Sequence, residues 1–508
     1  MKINSQTLNN KNSFKNSGMS ALSRTLYTLG NNDMLNASAI DIFAMDTPRT
    51  IVEFHNRGKN AGIEMAFREY TGTFIAEFSA AVFALLTSKI VSKVYKPNVK
   101  VNPDSWVTNK ALDTYNDIYK KSDKTPQDFV KRSIEAISGI TGKETKSLAS
   151  ESQDKLNPII KELTDLITTQ KDKKEVKTAT ENIKDKIINL LGADNNIKVK
   201  SGANEVSANL SHTLRDITDL GKNVFFNGAK QNSDEIISKL KPLNKSRIMF
   251  AIPASMLLAI SNQYINRQIT KKRTGIDNFV GENNYEENVK NKNEKKSQKG
   301  LLAKKALSAG VFLTMLTKVM GVKKPSDLVN KLEFDGPATS GNAIKTVYGT
   351  LILGRIFASK DSTELRETTV RDYLGFLSWL VLGGFVAKGV GQALDPKQQE
   401  LFNVTKQGQG IGHWLKDVSL KSQKEIIAQG GNVKKNLAKL NIAQLSGIAY
   451  SAVMLGVLLP KLNIAMTRRK GKKENQPQIK PDMNFLANYT FDRFEKSLNN
   501  QNDNFVQK

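Results

Sequence analysis

The chain has 508 residues, a formal net charge of +27, a pI near 9.8, 39% apolar residues and no cysteine. Without cysteine there is no disulfide framework, thiolate nucleophile or Cys-based metal site. The length suits two to four domains, and a mean hydropathy of −0.40 excludes a densely polytopic protein while leaving room for several helical spans of ~20 residues.

In chain order, residues 1–60 alternate polar stretches with short apolar runs. The first fifteen or so have the composition of disorder and lack the apolar core of a cleavable signal peptide, so membrane insertion is expected to start from an internal segment. Ser20–Leu29 and Ala37–Ala44 read as short helices, and Asp46-Thr47-Pro48 as a turn or helix start. Residues 61–96 read as one long helix, amphipathic at first. Its second part, Thr71–Ser88, is apolar apart from Glu77. Ala76, Ala80, Ala84 and Ser88 recur every four residues, a small-residue stripe that lets helices approach closely, in a membrane or in a soluble pair.

Residues 97–246 mix charges of both signs with apolar residues at helical spacing, as in Ile159, Ile160, Leu163, Leu166 and Ile167. They are expected to form an inserted polar helical domain, coiled-coil or hairpin-like. Residues 247–273 follow as a hydrophobic helix: Ile248–Asn266 is uncharged, then come Arg267, Lys271, Lys272 and Arg273. Residues 274–300 read as a linker rich in Asn, Glu and Lys.

Residues 301–469 hold four more apolar segments: Ala306–Thr317, Val347–Ala358 with Arg355 inside it, Tyr373–Ala387, and Leu440–Pro460. A polar connector at 394–440 interrupts them. Leu440–Pro460 is long enough to cross a ~30 Å hydrocarbon layer and is followed by Arg468, Arg469, Lys470, Lys472 and Lys473. Residues 470–508 form a polar tail with one amphipathic piece, Phe485–Leu498.

Ile248–Arg273 and Leu445–Lys470 align at an offset of 197, Asn266 falling on Asn463 and Thr270 on Thr467. Duplication accounts for this, and so do two unrelated helices obeying one rule at a membrane face. A six-segment scheme with both basic clusters on the cytoplasmic side closes, although Lys89, Lys93 and Lys96, and Lys239, Lys241 and Lys245, stand on the opposite flanks.

Motifs for catalysis are lacking. His55, His212 and His413 are isolated; a phosphate loop needs a strand before it and a helix after it, and the QGQGIG at Gln407–Gly412, in polar, connector-like surroundings, reads as a flexible turn. Glu77 is the one acidic residue deep in an apolar run; an ionisable group at bilayer depth is a functional candidate, and Arg355 is a partner for it.

The expectation is a mainly α-helical, multi-helix membrane-associated protein, multi-pass in the inner membrane of a bacterium. It would have a structural, scaffolding or interaction role, with no enzymatic activity and no cofactor. Its partners would be anionic lipid and helical proteins or further copies of itself. No specific nucleic acid is expected, because lysine is spread out and its densest clusters abut apolar segments. The alternatives are an exported, membrane-inserting protein and a transporter using Glu77 and Arg355.

Overall fold

The computed structural model describes residues 19–30, 32–94, 106–140, 145–169, 172–191, 196–226, 233–275, 298–334, 336, 340–404, 408 and 410–473. The first fifteen residues, most of the 274–300 linker, the tail beyond 473 and the Phe485–Leu498 piece lie outside them. The protein is mainly helical, as the composition implies, and four helices are long and apolar enough to cross a membrane: Lys59–Val91, Ser233–Thr274, Gly300–Val319 and Val433–Thr467.

The chain opens with α1 (Ala21–Gly30) and α2 (Asp33–Ala39), which runs through a π-helical stretch, Ile40–Asp46, into α3 (Thr47–Arg57). Asp46-Thr47-Pro48 is therefore the continuation of a helix, and Pro48, just inside α3, has no N–H to return to the π-helical stretch before it. Gly58, at φ 88°, makes the sharp turn into α4 (Lys59–Phe74). A second π-helical turn, Ile75–Ser79, joins α4 to α5 (Ala80–Val94).

The inserted domain follows: α6 (Asn109–Lys121), α7 (Pro126–Glu135), β1 (Ile137–Ile140), β2 (Thr145–Ser147), α8 (Gln153–Thr168), α9 (Lys173–Leu191), β3 (Asn196–Ser201), β4 (Asn204–Asn209) and α10 (Leu210–Gly221). Thr108 and Thr125 cap α6 and α7 through their side chains. Its four strands form an antiparallel sheet in the order β2-β1-β3-β4, with Ile137 opposite Val199 and Val199 opposite Val206. An all-helical hairpin is thus corrected to a compact α+β unit. The reason lies in 196–209, where Ile197 and Val199 alternate with Lys198 and Lys200 at the period of a strand, and Gly202 (φ 60°) closes the two-residue turn. Ile183, Ile187, Leu163, Ile167, Leu214 and Ile217 form an apolar core beneath the sheet and helices.

Helix α11 (Ser233–Thr274) is 42 residues long, about 63 Å at 1.5 Å per residue. Its first half, with Ile236, Leu240 and Leu243, completes the core of the inserted domain; its second half, with Ile248, Ala251 and Ala259, enters the core of the helical bundle. The stripe Ala76, Ala80, Ala84 and Ser88 is buried against it, and Arg247 of α11 donates to the Ser88 hydroxyl (2.7 Å).

The bundle is completed by α12 (Gln298–Val319), α13 (Pro325–Lys331), α14 (Gly341–Ala358) and α15 (Ser362–Leu377), which passes through another π-helical turn, Ser378–Leu382, into α16 (Gly383–Leu394). The polar connector holds a two-stranded ribbon, β5 (Phe402–Val404) with β6 (Val418–Leu420), and the short helices α17 (Ile411–Asp417) and α18 (Gln423–Gln429). The capping pair Ser422 and Glu425 starts α18. The last element, α19 (Val433–Ser451), continues through a π-helical stretch, Ala452–Leu458, into α20 (Leu459–Lys473).

The two inserted segments lie at one end of the bundle. Lys424 of the connector pairs with Asp185 of α9 (2.6 Å), and Lys184 donates to the Tyr27 hydroxyl of α1 (3.0 Å). Burial pushes that hydroxyl up to about 12. The basic ends of α11 and α20 point to the opposite end.

Candidate functional site: a buried file of charges

Helix α4 has an amphipathic pattern, but the face that carries its charges is covered while Tyr70 and Phe74 are exposed. Glu64, Arg68 and Glu69 are buried, as are Arg49 and Glu53 of α3, Arg355 of α14, and Glu364, Glu367, Arg371 and Asp372 of α15. Every cation among these is arginine, whose planar fork can serve two carboxylates at once. Glu69 does the converse: it meets Arg49 and Arg355, each at 3.3 Å, and Arg68 at 3.5 Å. Arg355 also reaches Asp372 (3.2 Å), which meets Arg371 (2.8 Å). Toward the basic end, Arg57 of α3 binds Glu367 (2.6 Å), and Arg267 of α11 pairs with Glu364. Glu367 also accepts from Thr467 of α20.

Toward the other end lie Asp46, which accepts from Thr73 (2.7 Å), and Glu77, which accepts from Ser38. From Glu64 to Glu77 the file climbs thirteen residues of helix, about 20 Å. That is most of the depth of a ~30 Å hydrocarbon layer.

Glu77 and Arg355 thus both belong to this file without pairing directly. Arg355 is taken by Glu69 and Asp372, while Glu77 has Ser38 and the carboxyl of Asp41 beside it. Of the expected basic clusters, Arg267 is buried, in its pair with Glu364. Lys271, Lys272 and Arg273 are exposed, Arg273 donating to the Asn60 carbonyl (2.9 Å). Arg469 is exposed, and the side chains of Arg468, Lys470, Lys472 and Lys473 lie outside the described residues. His55 is exposed, and His413 lies 3.4 Å from Asp417 at the surface of α17. Gly410 turns the chain at φ 89° before this seven-residue helix. Among the described residues no group of three or more His, Asp or Glu is placed to hold a metal ion.

The file has an internal echo. Glu64-x-x-x-Arg68-Glu69-Tyr70-x-Gly72 recurs 303 positions later as Glu367-x-x-x-Arg371-Asp372-Tyr373-x-Gly375. The π-helical turn after each motif, Ile75–Ser79 and Ser378–Leu382, keeps the same offset. Arg49 and Arg355 precede the motifs. Their contacts correspond: a Cβ on Gly72 would meet the Arg355 guanidinium at 3.4 Å, and one on Gly375 would meet that of Arg49 at 3.9 Å. Likewise Gly354, just before Arg355, lies against Ile260 of α11, and Pro48, just before Arg49, lies against Gly456 in the π-helical stretch after α19. The Asn266/Asn463 alignment at 197 falls into the same scheme, because the segment between motif and last helix is longer in the first half by the size of the inserted domain. The two halves of the bundle thus repeat one motif and one set of contacts.

A cavity of about 380 Å³ lies between the halves at the end of the bundle that bears the inserts, lined by Asp33, Asn36, Ile40, Lys345, Gln444 and Ser451 among others.

No protein-family model matches this chain, and neither a curated protein nor a solved structure matches it.

Proposed function

We propose that this chain is an integral membrane protein whose helical bundle lies in the bilayer and whose inserted domain and connector stand together at one membrane face. The observation that carries the reading is the reversed polarity of the bundle. Its interior holds the arginine–carboxylate file, while Phe43, Phe250, Leu257 and Leu307 are 65–75% exposed. Water would favour the opposite arrangement, since an exposed apolar face of this extent drives association and charges inside a protein are retained only when paired. Hydrocarbon outside and paired charges inside satisfy both demands. The role that follows is structural or interactive: the bundle anchors the chain, and the inserted domain offers a folded surface to a partner.

A second reading, a carrier of a solute or an ion, is favoured by the cavity between the two halves, since the binding sites of many carriers lie at a repeat interface.

The chain lends itself to a direct test because it has no cysteine. After washing membranes with strong alkali, the protein is expected to stay in the pellet. Single cysteines at Lys186 and Lys416 are expected to react with an impermeant maleimide from one side, and a cysteine at Lys271 only from the other. Release by alkali, or labelling of all three from one side, contradicts the reading.

A further inference from the structure

Three carboxylates of the file have no cation within ion-pair distance among the described residues: Asp41, Asp46 and Glu77. Asp41 is wholly buried, and no N–H or O–H donor reaches either of its oxygens. Its carboxyl faces that of Glu77, and Asp46 is the next acid along the same helix. Two neighbouring acids in a dry interior cannot both carry charge without cost, which favours a proton on one of them. All three sit in π-helical stretches, a rare geometry that gathers at functional sites.

The second half of the bundle shows that the fold does not require them. At the equivalent positions Asp46 becomes Ile352, Thr73 becomes Phe376 and Glu77 becomes Leu380. Asp41 falls at Val347. No Asp or Glu occurs in 341–358 or 374–394, the counterparts of the helices that carry the three acids. Ile352, Val347 and Phe376 are all fully buried. The π-helical turn Ile75–Ser79 is thus matched by Ser378–Leu382 with a leucine in place of the acid, whereas the π-helical Ile40–Asp46 is matched by a plain α-helical stretch of Gly341–Ala358 with apolar side chains. A buried acid without a cation destabilises its surroundings, so the first half carries an energetic burden from which the second is free.

We propose that Asp41, Asp46 and Glu77, with the hydroxyls of Ser38 and Thr73, form a proton-binding site confined to the first half of the bundle. The groups that face it are Arg49 from α3, Glu69 from α4, and Tyr348 and Arg355 from α14. Two of the three acids therefore hold their proton mainly against each other, and Asp46 borders the arginines. Ile40, next to Asp41 in the chain, lines the cavity between the halves. The site lies in the bundle core whether or not the bundle lies in a bilayer, so its test is separate from the test of membrane residence.

The test is infrared difference spectroscopy of the full chain in detergent and in lipid, stepped over roughly pH 4 to 9, the range in which perturbed carboxyls titrate. The protonated-carboxyl stretch of a buried acid is expected to appear and disappear reversibly. Glu77→Gln is expected to abolish most of that signal, Asp41→Asn to shift its midpoint, and Glu77→Leu, the residue of the second half, to remove it with helical content retained. The two isosteric variants keep the test open should Glu77→Leu fail to fold. An unchanged signal in folded Glu77→Gln and Asp41→Asn overturns the proposal. So does a signal that follows added Na+ at constant pH, which would make the site one for a metal cation.

Discussion

In the inserted domain Ile187, Leu214 and Ile217 are fully buried, and among the described residues from 106 to 246 no large apolar side chain is exposed. In the bundle Arg49, Glu69 and Arg355 are fully buried, and Phe43, Phe250 and Leu257 face outward. One chain therefore holds two opposite solutions to the same problem. The domain gains its stability by removing apolar surface from water, at about 25 cal/mol per Å². The bundle also buries an apolar core, around Leu351 and Phe376, but leaves much apolar surface outside, and close helix approach and ion pairs join its halves as well. Gly447 against Gly383 and Gly354 against Ile260 provide the approach, and Glu69, shared between arginines of both halves, provides the join.

The comparison can be broken in order of expected effect. Glu69→Gln leaves Arg49, Arg355 and Arg68 without their common anion. Removing one partner of a buried pair costs about 3–5 kcal/mol, and the full chain in detergent is expected to lose its folded bundle in a thermal melt followed by circular dichroism. Ile187→Ala is expected to cost the inserted domain about 2–5 kcal/mol, seen as faster amide exchange across α8, α9 and α10 with exchange in α14 and α15 unchanged. Equal acceleration everywhere would mean the two regions fold as one unit. Leu257→Arg, at the centre of the apolar part of α11, is expected to lower membrane integration by about 2.5–3.5 kcal/mol on the insertion scale, scored by the fraction recovered in the membrane pellet. No loss would place that face against protein or water.

Glu77 and Arg355 were legible in the sequence because each interrupts an apolar run, which is how a buried charge shows itself in a membrane-like segment. Glu64, Arg68 and Glu69 were not, because AGIEMAFREY has the spacing of a helix with one wet face, and nothing local reveals that α14 and α15 cover that face. The signal that could have found them is the recurrence of Glu-x-x-x-Arg-acid-Tyr-x-Gly at 303 positions. It went unread beside the Asn and Thr coincidence at 197 because the inserted domain shifts the register between the two. Ser20–Leu29 and Ala37–Ala44 correspond to α1 and to α2 with the start of its π-helical continuation. The strands of the inserted domain were missed because six residues of alternation are short against the helical pattern on either side.

Helix α11 has a mechanical consequence. Its ends are anchored in two different cores, Leu240 in one and Ala259 in the other, and the helix runs between them through Pro242 and Pro253, each of which removes one N–H from its ladder. A rod of about 63 Å that tilts by about 10° around its middle carries each end through about 5 Å. A small change of angle among the bundle helices is thereby delivered to the far domain as a displacement the width of a side chain, which makes α11 a lever as well as an anchor.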